Sequence, residues 1–165
     1  MSLESRGVRG VRIRKVMKKF CIIGILSLSV NLVFFGMASA VPGTEGLQPM
    51  AQSQAFQDFL KKPVNNFSKL VCVLNYMRTV PFMVQYDGID YAMQIAYPVA
   101  LAYLMTNYHN EDPEAWVRKN TYRSLFHNQI IYFKLQNGRY VPVRDVLLEK
   151  FHELEAARKA QAPKA

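Results

Sequence analysis

Cysteine is nearly absent from this chain, and the absence narrows its chemistry. Of two cysteines in 165 residues, Cys21 opens an apolar run near the N-terminus and Cys72 lies among Val71, Val73 and Leu74. If residues 1–40 are removed on export, Cys72 stands alone and no intramolecular disulfide can form, so the domain must rely on its apolar core. Mid-helix among aliphatics, Cys72 reads as a small buried hydrophobe, with an intermolecular disulfide as the alternative. That setting lacks the exposed, electropositive surroundings of a catalytic thiolate. His109, His127 and His152 stand at no metal-ligand spacing with one another or with Cys72, so no metal site is expected. A glycine-rich phosphate loop, a G-x-S-x-G elbow and an S-x-x-K motif are all missing, so neither a cofactor nor catalytic residues are expected.

Positive charge is also scarce where a nucleic-acid protein would need it. The whole chain carries +9, but seven Lys and Arg fall within residues 1–19, and residues 41–165 hold 14 Lys and Arg against 11 Asp and Glu, or +3. Arg118, Lys119 and Arg123 form the nearest approach to a basic patch and read as a solvated helix face. Nucleic acid is therefore not an expected partner.

What is present first is a targeting pattern. The basic start is followed by the apolar run FCIIGILSLSVNLVFFGM and then by Ala38-Ser39-Ala40. A basic region, an apolar region and small residues at −3 and −1 make a secretory signal peptide over residues 1–40, cleaved after Ala40. Met17 followed by Lys18-Lys19 makes a compact signal by itself and is a candidate true start. The alternative is an uncleaved inner-membrane anchor, because the run from Phe20 to Ala40 is long enough to span the roughly 20 residues a bilayer requires. The expected location is periplasmic or secreted, with membrane contact only through that segment if it is retained.

The mature chain is organised around Ile89–Tyr108, IDYAMQIAYPVALAYLMTNY, in which Gln94 is the only strongly polar side chain between Tyr91 and Met105. Such a segment has no solvated face and reads as a buried central helix, with a membrane-embedded hairpin as the alternative. Pro98 should kink or break it near Ala96–Tyr97. Around it, residues 41–54 read as a flexible leader. Residues 55–61 form a short helix with Phe56, Phe59 and Leu60 on one side. Asn65 or Asn66 caps an amphipathic helix reaching Thr79, with Phe67, Leu70, Val71, Leu74 and Met77 on its apolar stripe.

Pro81–Tyr86 reads as a short strand closed by Asp87-Gly88. Asp112-Pro113-Glu114 starts a helix to about Phe126, with Trp116, Val117, Thr121, Leu125 and Phe126 inward. Ile130–Val143 forms a hairpin around Asn137-Gly138, for which a two-residue type I′ turn pairs Leu135 with Tyr140 and places Ile131, Phe133 and Leu135 on the core face. A last helix runs from Val143 to about Ala157, with Asp145, Glu149, Lys150 and Glu153 outside, and residues 158–165 read as a disordered tail. The single globular domain is thus expected over residues 55–157.

One further constellation invites a test. Asp87 and Asp90 lie three apart in a turn, and a hydrolase site would need them to converge with His109 or His127 in one pocket. Read locally, Asp87-Gly88 is a turn and Asp90 a helix cap, while His109 and His127 each lie near a helix end, where imidazolium favours the negative dipole end.

Ala102-Tyr103-Leu104, Asp112-Pro113-Glu114-Ala115-Trp116-Val117, the hairpin residues Asn137-Gly138-Arg139-Tyr140 and Pro142-Val143-Arg144-Asp145-Val146-Leu147-Leu148 together resemble a family of small exported bacterial proteins, domain of unknown function family 5329, over about sixty residues. The resemblance implies an apolar helix, an acid-capped helix, a short hairpin and a closing helix behind a signal peptide. It carries no established activity and no functional residue.

The expected fold is α+β and mostly α-helical, with four to five helices around the central apolar helix and a small antiparallel hairpin. The expected function is non-enzymatic: a binding or interaction module of the cell envelope whose partner is an envelope protein or a small ligand.

Overall fold

The computed structural model describes residue 44 and residues 46–161, so the expected signal segment 1–40 lies outside the described residues. In chain order the elements are α1 (Gln54–Leu60), α2 (Asn66–Met77), β1 (Met83–Tyr86), β2 (Ile89–Ala92), α3 (Met93–Asn107), α4 (Pro113–Asn120), β3 (Tyr132–Lys134), β4 (Tyr140–Pro142) and α5 (Val143–Gln161). The protein is α+β and mostly helical. Its sheet is four-stranded and antiparallel, in the order β2-β1-β3-β4.

Local chemistry sets the helix starts. Asn65 and Ser68 exchange hydrogen bonds in a capping box at the head of α2. Asp112 accepts the Ala115 N–H at 2.8 Å, with Pro113 in the first turn of α4, where its missing N–H costs nothing. Ser53 caps α1 by accepting from Phe56.

The core lies between the helices and one face of the sheet. Because paired residues share a face, Tyr91, Val84, Phe133 and Val141 line up inward across the four strands. Phe82 extends that face and packs on Phe133 with ring centroids 5.8 Å apart. α2 and α5 supply much of the remainder, including Leu70, Cys72, Val73, Tyr76, Val146 and Leu154, all buried. The opposite face of the sheet is polar: the Asp90 carboxylate accepts from Lys134 at 2.6 Å, Gln85 at 3.2 Å and Tyr140 at 3.4 Å.

Several expectations are corrected here. The segment 89–108 is not one buried helix. Ile89–Ala92 pairs with β1 through a hairpin whose tip, Asp87-Gly88, has φ of 51° and 80°, and the helix begins only at Met93. Asp90 is therefore a strand residue and caps no helix. α3 runs unbroken through Pro98, and of its fifteen residues only Met93 and Leu104 are fully buried. Tyr97 and Tyr103 point toward the core side and bond to Asn75 and Asn120. Ile95, Val99 and Met105 stand 60%, 68% and 66% exposed. At about 1.5 Å per residue, α3 is too short to cross a hydrocarbon layer of about 30 Å, and no helix among the described residues is long and apolar enough to do so.

α4 ends at Asn120 rather than Phe126. Residues 121–131 form a loop instead, tied at its base by the Arg123–Ile130 bridge, and Leu125 and Phe126 point outward. His127 accordingly lies in a loop, away from any helix end.

The second hairpin is one residue longer in its turn than the Asn-Gly pair predicts. Lys134 opposes Tyr140 and Phe133 opposes Val141. The Gly138 N–H bonds to the Leu135 carbonyl and the Leu135 N–H to the Arg139 carbonyl, with Gly138 at φ 80° and Asn137 not left-handed. This is a tight turn followed by one left-handed residue, the three-residue solution to a hairpin. Phe133 and Leu135 still reach the core, because the loop absorbs the extra residue without moving β3.

At the two ends, order extends further than expected. Met50, in a 3-10 turn over Met50–Gln52, is buried; its N–H donates to Glu153, and the Thr44 hydroxyl bonds to Glu149. This segment covers Lys150, which is buried against Glu149 and Glu153 rather than solvated. α5 continues to Gln161, past the expected end at Ala157.

Candidate functional site

The exposed apolar side of α3 does not face open solvent alone. It forms one wall of a cavity of about 500 Å³ whose opposite lip is the Leu125–Phe126 loop tip. The floor comes from Val73 and Met77 of α2, Phe133 of β3, and Leu147 and Phe151 of α5. The near wall is Ile95, Val99 and Tyr103, one side of α3 at a helical spacing of about four residues.

Two features hold the cavity open. The Tyr97 and Tyr103 hydroxyls of α3 bond across to Asn75 of α2 and Asn120 of α4, which holds the helix against those two helices. The 121–131 loop is anchored at several points: the Ser124 N–H donates to the Gln129 carbonyl, the Leu125 N–H to the Tyr86 hydroxyl at 2.9 Å, and the Arg123 Nη1 to the Asn128 carbonyl at 2.7 Å. Asn128 takes φ 54° to complete the turn, a backbone region asparagine tolerates better than most residues. The loop tip thus presents Phe126 81% exposed on a tethered frame.

The walls offer little to a polar ligand. Arg123 is the only charged residue that lines the cavity among the described residues. Asn120 and Thr121 also line it, but their side chains already bond to the Trp116 and Val117 carbonyls.

The acid and histidine residues considered from sequence are placed elsewhere. Asp87 and His127 do meet, with Oδ2 and Nδ1 3.0 Å apart. Burial raises the Asp87 carboxyl, but the facing Ser124 hydroxyl and His127 outweigh it and hold the group below the usual carboxylate range. Asp90 lies on the polar outer face of the sheet, engaged by Lys134, and is likewise held below that range, first by its Lys134 hydrogen bond. The backbone N–H of His109, just beyond α3, donates to Glu111. The four residues do not converge, and none lines the cavity. Ser124, His127 and Asp87 are neighbours, yet Ser124 accepts from the Gln129 N–H and the described residues show no Ser124–His127 hydrogen bond such as a proton relay would use. His152 pairs with Glu114 at 3.2 Å. Cys72 is buried with its thiol near the Ala55 carbonyl, and burial pushes it up to about 12.

Sequence reasoning placed Leu125 and Phe126 in the core and Arg123 on an ordinary solvated face; all three belong to the cavity rim. The available signal was the cluster of Leu, Phe, His and Asn after Ser124, which a helix pattern masked.

No family model, no curated protein and no solved structure matches this chain.

Proposed function

We propose that the protein is a non-enzymatic binding module of the cell envelope, and that it takes one elongated apolar ligand between α3 and the Leu125–Phe126 loop. The observation that supports this reading is the cavity: its volume of about 500 Å³ falls in the range of small-molecule sites, and its walls are almost wholly apolar. Exposed apolar residues concentrated at one opening also have a physical cost in water, which an apolar ligand would relieve. Export is supported by the basic n-region, the apolar run and Ala38-Ser39-Ala40. The resemblance to the exported family is part of the same reading and adds no residue role.

The test is native intact mass of the protein released from its own envelope fraction without detergent, followed by titration with the apolar fluorophore N-phenyl-1-naphthylamine. The expected result is a mass starting at Val41, one equivalent of bound apolar adduct or probe, and binding weakened more than tenfold by Val99→Asp. Val99 is exposed, so that substitution should leave folding intact. Failure of the intact protein to bind probe, or catalytic turnover abolished by a single polar substitution, would sink the reading. A mass that retains Phe20–Ala40 would replace export by membrane anchoring.

A further inference from the structure

We infer that the ligand is a free long-chain carboxylic acid, its chain in the cavity and its carboxylate on the Arg123 guanidinium. The inference rests on the apolar-ligand reading above and adds the chemistry of the head group.

Arg123 is the one charge on an otherwise apolar wall, and it is exposed, so it stands at the opening rather than on the floor. A guanidinium has five N–H donors. Among the described residues its hydrogen bonding is limited to Nη1 on the Asn128 carbonyl, and its remaining contact is with the Tyr122 ring, 5.4 Å away. It makes no ion pair with any described carboxylate. Asp87 pairs instead with His127, and Asp145 with Arg144, whose own guanidinium lies 4.0 Å from the centroid of the same Tyr122 ring. Tyr122 therefore has two guanidiniums packed on it, of which Arg144 has an acid partner and Arg123 does not.

The Arg123–Asn128 bond fixes the loop and thereby orients the remaining N–H groups, which match the two oxygens of a carboxylate in a planar fork. Of the other polar side chains of the wall, Asn120 and Thr121 bond to helix carbonyls, the Tyr103 hydroxyl donates to Asn120 and the Tyr86 hydroxyl accepts from the Leu125 N–H; these and Tyr91 carry no charge to compete with Arg123 for a carboxylate. This division places the charge of an amphiphile at the opening and its chain between Val99 and Phe126. A neutral head leaves the guanidinium without a partner, and a cationic head is repelled by it. The cavity's size favours one chain over a two-chain phospholipid.

The experiment is displacement of bound N-phenyl-1-naphthylamine from the full chain by four chain-matched probes: hexadecanoic acid, hexadecanol, hexadecyltrimethylammonium, and phosphatidylglycerol vesicles. The acid is expected to bind about ten- to a hundredfold more tightly than the alcohol, the range of a charge-assisted hydrogen bond. The cation should bind more weakly than the alcohol. In Arg123→Gln the preference for acid over alcohol should vanish while probe and alcohol binding stay within twofold of the parent. Should that variant fail to fold, the comparison among the heads on the unmodified protein decides alone. Equal affinity for acid and alcohol, or a preference that survives Arg123→Gln, overturns the carboxylate inference and leaves the apolar-chain reading standing. Binding to phosphatidylglycerol vesicles without displacement by the monomeric acid assigns the patch to a lipid surface and also overturns it. If probe and all lipids fail to bind, the apolar-chain reading falls and takes this inference with it.

Discussion

Asp90 shows how much of a residue's setting comes from strands it does not belong to. In sequence it follows Asp87-Gly88-Ile89 and resembles a cap; in the structure Lys134 and Tyr140, from two other strands, turn it into the hub of a polar cluster. Its folded-state carboxyl is held below its ordinary value of 3.8, so its contribution is present above that value and lost as the pH falls through the lowered one. Asp90→Asn should therefore lower the thermal midpoint at pH 7, with the difference from the parent closing in acid below the usual carboxylate range. Scanning calorimetry at both pH values checks it, and an equal difference throughout would deny the linkage. The Cys72 thiol, buried and pushed up to about 12, should resist alkylation in the native protein and react stoichiometrically only in denaturant. Caps such as Asn65 and Asp112 were legible because their partners lie three residues away. Lys150 was not: Glu149 and Glu153 are on its own helix, but the segment that buries it bonds to that helix from 105 residues away.

At the level of elements, hydrophobic pattern located helices well and oriented α3 poorly. An amphipathic stripe tells α2 which face to bury, whereas α3 is apolar nearly all round and gives no direction. Its orientation is set by the Tyr97 and Tyr103 hydroxyls, which need partners and find them on α2 and α4. The sequence therefore revealed the segment but not the cavity beside it. Turn chemistry was legible to within one residue: Asn137-Gly138 marks the hairpin, yet only Gly138 takes the left-handed conformation, and the register shifts accordingly. Gly138→Ala has free space around its Cβ but must hold φ 80°, so it should destabilise by about 1–2 kcal/mol. Equilibrium urea unfolding measures this, and a change below about 0.5 kcal/mol, the scale of an ordinary surface substitution, would deny the strained turn.

For the molecule as a whole, fold class followed from the alternation of helical and strand-like stretches, while sheet size did not. Two hairpins are local, and each is marked by an X-Gly pair; their union through β1 and β3 is long-range and leaves no pattern in either strand. The N-terminal segment belongs to the same scale. Met50→Ala should cost about 2–5 kcal/mol, because a fully buried side chain is truncated against α5. Denaturant unfolding of the variant checks this, and a neutral effect would return the segment to the status of a leader.

The β1–β3 pairing also sets a timetable. Val84 meets Phe133 across about fifty residues of chain, and the loop closure must be achieved before those contacts stabilise anything, which makes this step slow relative to either hairpin. Until Lys134 is available, β1 keeps one edge unpaired, and Val84 lacks Phe133 as its cross-strand neighbour. Chains that end within residues 121–131 should therefore self-associate through that strand edge, whereas chains extending through α5 should not. During synthesis the same interval, between emergence of Tyr86 and emergence of Lys134, is when the polypeptide most needs a holding chaperone.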